Sequence, residues 1–230
     1  MRFKYSFNFL ADVWDKSSEV LDKLPTYSPK IESFHRAEED FIVSLIKKHS
    51  DNPMILDLGC GTGRLLKVLS RNGFTQLYGI DISSKIIEKC RKSLPESTML
   101  LQHDFRERLP FIDNFFDFIL ITGNALTSSV TESDLVLKQA FRVLKNNGIL
   151  IVDVYNADFM TEDLVESYYG KFPEPIAFKR FDKKTHTVFI GNIISHWLTG
   201  NELKELLEDQ NFKIVEIKKE GVGLIGVAKK

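Results

Sequence analysis

Ile55-Leu56-Asp57-Leu58-Gly59-Cys60-Gly61-Thr62-Gly63-Arg64-Leu65-Leu66 passes from an apolar strand, through an acid and three alternating glycines, into the start of a helix. Glycine has no Cβ, so it takes positive φ cheaply and lets backbone N–H groups approach a ligand. Three glycines at this spacing predict a tight strand-to-helix crossover beside a binding crevice. The same residues could form a turn and nothing more, but the strand before them and the helix after them supply the context that a binding loop requires.

Two further strands end in acids. Gln76-Leu77-Tyr78-Gly79-Ile80-Asp81-Ile82-Ser83 is an apolar strand followed by a serine placed to cap the next helix. Its carboxylate, Asp81, suits a vicinal diol, because hydrogen bonds to an ionised acceptor are the short, strong ones. Thr98-Met99-Leu100-Leu101-Gln102-His103-Asp104-Phe105 again ends in an acid, now with an aromatic after it. An acid about 20 residues past a glycine loop also occurs in NAD enzymes, so Asp81 supports a ribose without choosing the cofactor. The glycine spacing weighs against NAD. A dinucleotide loop reads G-x-G-x-x-G, whereas this one reads G-x-G-x-G.

The stretch from Asp57 to Gly63 closely resembles the first motif of class I S-adenosylmethionine-dependent methyltransferases, and the later acids follow in that family's order. The resemblance implies S-adenosylmethionine as cofactor, held by Asp57, Gly59, Cys60, Gly61, Gly63, Asp81, Ile82, Asp104, Phe105, Thr122 and Gly123. Within that set it implies that Asp81 takes the ribose, that Asp104 takes the adenine amino group and that Phe105 flanks the base. Phe105 reads equally well as ordinary core in a chain with 18 phenylalanines.

With 230 residues, 43% hydrophobic and 27% charged, the chain fits one well-filled domain. A net charge of -1 lacks the electrostatic footprint of a strong nucleic-acid binder. The best local basic cluster, Lys179-Arg180 with Lys183-Lys184, reads as a solvated loop. Cys60 and Cys90 lack the spacing of a zinc site or redox dithiol and are expected to be free thiols in a reducing compartment. The N-terminus lacks the apolar core of a signal peptide, and no run approaches the roughly 20 apolar residues of a membrane span. The expected location is the cytoplasm.

Near-continuous apolar runs around Ile55, Leu77, Leu100, Phe116–Ile121 and Gly148–Val152 suit a parallel sheet covered on both faces. Helices are expected over Glu32–His49, Gly63–Ser70, Ser83–Leu94 and Glu132–Leu144. The last of these is expected to be capped by Thr131 and stopped at Asn146-Asn147-Gly148. At the C-terminus the pattern gives a helix over Thr199–Asp209 with capping-box spacing at Thr199 and Glu202, then strands Phe212–Lys218 and Gly223–Ala228. Those two strands are too close for a helical crossover, so they must pair antiparallel or leave the sheet. The fold class is therefore α/β, a Rossmann-like doubly wound sheet. By the resemblance it has seven strands, mostly parallel with an antiparallel C-terminal strand and helices on both faces. The expected segments are an N-terminal helical cap (1–50), a cofactor-binding core (51–154), a substrate-facing insertion (155–198) and a C-terminal helix with β-hairpin (199–230). In the insertion a helix is expected over Glu162–Tyr169, with β-like runs Ile176–Phe181 and Thr187–His196. The resemblance also implies that the Glu32–His49 helix closes over the cofactor together with the segment ahead of it, Leu10–Ile31.

Methyl transfer from a sulfonium depends chiefly on holding donor and acceptor in near-attack geometry with water excluded. A general base helps only when the acceptor must lose a proton. The fourth strand runs into Ile121-Thr122-Gly123-Asn124-Ala125-Leu126, unlike the Asn/Asp-Pro-Pro-aromatic pattern of nucleobase amino methyltransferases. There is also no Pro-Cys nucleophile. Gly123-Asn124 and Val154-Tyr155-Asn156 look like small-molecule N-methyltransferases of the glycine and sarcosine type. Candidate bases or polar acceptor contacts are Tyr27, His35, Asn124 and His196, none singled out by spacing, and His186 and His196 form no recognisable metal pattern. The leading expectation is methyl transfer to a small-molecule N or O nucleophile. A catalytically silent cofactor-binding scaffold, a methyltransferase acting on RNA or protein, and an NAD-dependent oxidoreductase are the alternatives.

Overall fold

The chain begins with helix α1 (Phe7–Ser17), a 3-10 segment (Leu21–Tyr27) and the long helix α2 (Pro29–His49) in the structure, a computed structural model that describes residues 5–128 and 132–230. Strand and helix then alternate: β1 (Ile55–Leu58), α3 (Arg64–Arg71), β2 (Leu77–Asp81), α4 (Ser84–Ser93), β3 (Met99–Gln102), β4 (Phe116–Ile121), α5 (Ser133–Val143) and β5 (Leu144–Tyr155). The insertion holds α6 (Glu162–Tyr169), β6 (Phe178–Asp182), β7 (Thr187–Ile190) and β8 (Ile193–His196). Helix α7 (Gly200–Glu208) and the hairpin β9 (Lys213–Glu220) and β10 (Gly223–Lys229) complete the chain.

The main sheet has seven strands in the order β3-β2-β1-β4-β5-β10-β9. Strands β1 to β5 pair in parallel, and β10 runs antiparallel to both β5 and β9. Alternate side chains feed opposite cores, as the period of 2 requires. Ile55, Phe118, Leu120, Ile149 and Ile151 pack with α2, α3 and α4, whereas Leu56, Leu58, Ile119, Ile121, Leu150 and Val152 pack with α5 and α7. Strand order reverses between β1 and β4, and an open α/β sheet binds ligands in the crevice at such a switch point.

Local signals set most boundaries. Ser83 accepts from Ile86 N and caps α4, and Thr199 with Glu202 forms the expected capping box on α7. Helix α5 ends at Val143, ahead of the expected Asn146-Asn147-Gly148 stop, and Asn147 takes its left-handed conformation (φ 63°) within the stretch assigned to β5. The expected cap Thr131 lies outside the described residues. The β-like run Thr187–His196 is two strands, because Gly191 at φ 52° turns the chain between β7 and β8. With β6 they form a separate three-stranded sheet.

Candidate functional site

The ends of β1, β2, β3 and β4 surround a cavity of about 290 Å³. Of the eleven residues assigned to the cofactor from sequence, all but Gly63 line it. Gly63 instead sits at the start of α3 with φ 84°, where a Cβ would come within 2.7 Å of Cys90 Sγ. Its role is the tight passage of the chain into α3. Cys60 and Cys90 are both buried free thiols, and the Cys90 thiol together with burial pushes Cys60 well up.

Asp81 joins two of these strand ends. Its carboxylate accepts from Gly61 N (3.0 Å) in the glycine loop and from Ser83 N (3.0 Å) at the start of α4. Burial raises it to about 6 despite those N–H groups, which favour its charge. Asp57 is 2% exposed, and its Oδ1 has no hydrogen-bond partner among the described residues. Burial, which outweighs the attraction of Arg64, and the neighbouring Glu38 and Asp81 carboxylates lift Asp57 to about 7. Asp104 is already engaged: Arg106 chelates it through Nε and Nη2 (2.6–3.1 Å), and Arg106 N also donates to it. An adenine amino group would therefore share this carboxylate with Arg106. Phe105 lines the cavity and lies 3.3 Å from where a Cβ on Gly59 would stand, so it serves packing and cavity together.

Behind the loop after β4 lies a charge cluster not identified from sequence. Glu38 of α2 and Asp153 of β5 are both fully buried. Arg64 donates to Glu38 (2.8 Å) and to Glu39 (2.7 Å), and His35 Nδ1 donates to Glu38 (3.3 Å). Burial opposes the Glu38 charge, but Arg64, Asp153 and His35 override it and hold Glu38 well below the usual carboxylate range. Asp153 is pushed well up by burial and by Glu38, although Asn124 N and Gly123 N (2.7 Å each) donate to it. Asp153 therefore holds a proton more readily than Glu38, whose Oε1 has no hydrogen-bond partner among the described residues. Ligand atoms of His35, Glu38 and Asp153 lie within 4.8 Å of one another, but Arg64 already supplies the positive charge that the cluster needs.

Two segments roof the cavity. From the N-terminal side come Leu10, Trp14, Leu21 and Leu24, and the roof is pinned by Asp22, which accepts from the Thr62 hydroxyl, and by Asp15, which accepts from the Ser83 hydroxyl and Lys85 N. From the insertion come Tyr168, Tyr169, Phe172, Ile190 and Ser195. The two roofs touch through Tyr27 and Phe172 (6.0 Å, edge-on). Of the four candidate bases or acceptor contacts, His35 and Asn124 line the cavity, and Tyr27 and His196 do not. Asn124, left-handed at φ 59°, spends its amide on Ser195, Thr127 and Tyr155 N. His196 bonds the Thr187 hydroxyl. In the basic cluster, Arg180 stacks on Phe189 (3.6 Å), and none of its residues lines the cavity.

The methyltransferase domain family matches residues 56–152. A demethylmenaquinone methyltransferase from Lactobacillus johnsonii is 30% identical over 76% of this chain and 75% of its own length. The chain belongs to the class I S-adenosylmethionine-dependent methyltransferase family. YqeM of Bacillus subtilis is 34% identical over 54% of the chain, and a glycine/sarcosine N-methyltransferase of Parasynechococcus marenigrum is 29% identical over 69%. The chain spans about half the length of these two relatives, 51% and 54% respectively. The methyltransferase CcbJ of Streptomyces caelestis shares the fold, with a TM-score of 0.71 over 98% of this chain and 99% of its own at 16% identity. The cofactor of this methyltransferase is S-adenosylmethionine, and the cavity's donor set fits it. The ligand carries an ammonium and a vicinal diol, and the cavity offers the orphaned buried Asp57 Oδ1 and the strand-end Asp81 carboxylate. No helix of the described residues is long and apolar enough to cross a membrane.

Proposed function

We propose that this methyltransferase transfers the cofactor's methyl group to a small-molecule N or O nucleophile by in-line displacement. The observation that carries this is the double roof. The N-terminal segment and the insertion both line the cavity over the glycine loop, so an acceptor has to fit beneath them in whatever space the cofactor leaves, which favours a small one. Two walls over the cofactor would also help to shield the reacting atoms from water, on which near-attack positioning depends.

In this reading Asp57 Oδ1 takes the ammonium of the cofactor's methionine tail and Asp81 takes the ribose. Gly59, Cys60 and Gly61 bring the backbone close, and Asp104, Phe105 and Ile82 hold the adenine. Thr122 and Gly123 border the transferred methyl, which the bound sulfonium supplies. Asp153 fixes that border through its bonds from Gly123 N and Asn124 N. Residues 1–50 act as the cap and 155–198 as the acceptor-facing wall. The cytoplasm is the proposed location, on the reading of two buried free thiols.

Methyl transfer from labelled S-adenosylmethionine, run against small phenols, amines and acids in parallel with bulk RNA and protein, tests the proposal. Label in a small acceptor alone is the expected result. Label in RNA or protein alone would overturn it.

A further inference from the structure

The insertion lines the cavity with an aromatic wall. Tyr168 and Phe172 meet edge-on at 5.0 Å, Tyr169 and Phe172 lie 5.0 Å apart, and Tyr155 meets Tyr168 at 5.9 Å. The hydroxyls of these tyrosines are used internally. Tyr155 and Tyr168 bond each other (3.1 Å), while Tyr169 bonds Ser195 (2.7 Å) and accepts from Trp197 Nε1 (3.0 Å). Burial pushes all three phenols up, Tyr169 to about 12, so the wall offers rings and no phenolate. Among the described lining residues the arginines are Arg64 and Arg106, and both are already paired, with Glu38 and Glu39 and with Asp104. A carboxylate-bearing acceptor would find no unpaired guanidinium here, unlike an uncharged aromatic ring.

One side chain on this chamber keeps an unused lone pair. His35 lines the cavity, and its Nδ1–H is directed to Glu38 because a carboxylate held ionised by Arg64 can only accept. That fixes the tautomer and leaves Nε2 as the acceptor nitrogen, with no partner among the described residues. The ring stands beside Asp153, whose carboxylate holds Gly123 N and Asn124 N at the end of β4. The geometry points to His35, oriented by Glu38, as the proton acceptor for an uncharged hydroxyl-bearing aromatic acceptor seated against Tyr168, Tyr169 and Phe172. The inference rests on the methyl-transfer reading above and narrows its acceptor class.

The step balances. His35 Nε2 takes the hydroxyl proton while the oxygen forms its bond to the methyl carbon, and the electron pair of the breaking S–C bond stays on sulfur. The positive charge lost by the sulfonium reappears on the imidazolium, facing Glu38. Charged and titratable groups face His35 from every side: Glu38 and Glu39 on its own helix, Arg64 from α3, and Asp153 and Tyr155 from β5. Burial and Arg64 together hold His35 below its ordinary value, so the ring rests neutral with its lone pair available.

The test uses the whole chain saturated with S-adenosylhomocysteine and 4-nitrophenol as the probe, whose coloured phenolate reports proton loss. In the native protein the bound probe should ionise at lower pH than the free one. His35→Gln should abolish that shift, leave S-adenosylhomocysteine affinity by calorimetry essentially unchanged, and slow methyl transfer to the probe on the order of 10²–10⁴-fold. An unaltered shift in the variant, or no binding of the probe, would overturn the inference. Failure of S-adenosylhomocysteine itself to bind would instead defeat the cofactor assignment on which it rests. If the variant does not fold, nitrogen NMR of labelled native protein decides: His35 Nε2 should gain a proton when the probe binds, and an unchanged neutral ring would refute the role.

Discussion

Asp57 is a buried carboxyl with an unpartnered oxygen, and its two protonation states serve opposite ends. Burial lifts its folded value to about 7, well above the roughly 3.9 of an unfolded aspartate. The protonated form is thus favoured by folding. Its stabilising contribution is complete below the unfolded value and is lost as pH rises through about 7. The cofactor's ammonium needs the ionised form, so binding near neutral pH should expel a proton. Asp57→Asn should therefore raise the melting temperature of the ligand-free protein at pH 8, by differential scanning calorimetry, while weakening cofactor binding by about 1.5–3 kcal/mol, the loss expected for a hydrogen bond to a charged group. Gly61 makes the complementary case. A Cβ there meets no protein atom within 4 Å, yet φ is +54°, so Gly61→Val should cost about 1–2 kcal/mol in urea denaturation and abolish binding by filling the approach to the loop. A folded Gly61→Val variant with native affinity would remove the loop from the account.

The helices and strands show which of these features were readable in advance. Ile31, Phe34, Glu38, Ile42 and Ile46 all fall on the buried stripe of α2, so a carboxylate in an apolar face was visible in the sequence as an anomaly. Asp153 likewise interrupts the apolar run of β5. What the sequence did not disclose was that these two acids meet, because α2 and β5 are brought together only by packing. The capping of α4 and α7 and the terminal hairpin were legible because each depends on neighbours in the chain. The pinning of the N-terminal roof by Asp15 and Asp22 was not, since its partners lie 68 and 40 residues away. Arg64 ties α2 to α3, and Arg64→Met strands the Glu38 charge in the core. That variant should lose about 3–5 kcal/mol of stability, the penalty for breaking a buried pair, measured by urea denaturation.

At the scale of the whole molecule, the alternating strands were enough to specify a doubly wound α/β sheet, the family resemblance supplied its seven strands, and all but one of the expected cofactor residues arrive at one cavity. The acceptor side was less legible. Its wall comes from α6 and the strands of a second small sheet, whose residues carry no motif and become a chamber only when Trp197, Tyr169, Ser195 and Asn124 lock the insertion to the end of β4. The central claim is that this cavity receives S-adenosylmethionine on ionised carboxylates that are partly protonated when empty. Its most direct test is calorimetric titration of the protein with S-adenosylhomocysteine and with NAD at pH 7, each in phosphate and in Tris. S-adenosylhomocysteine should bind with an enthalpy that differs between the two buffers in proportion to the fraction of a proton released, a difference that Asp57→Asn reduces, and NAD should give no heat. Binding of NAD in place of S-adenosylhomocysteine, or binding with no proton released, would contradict the account.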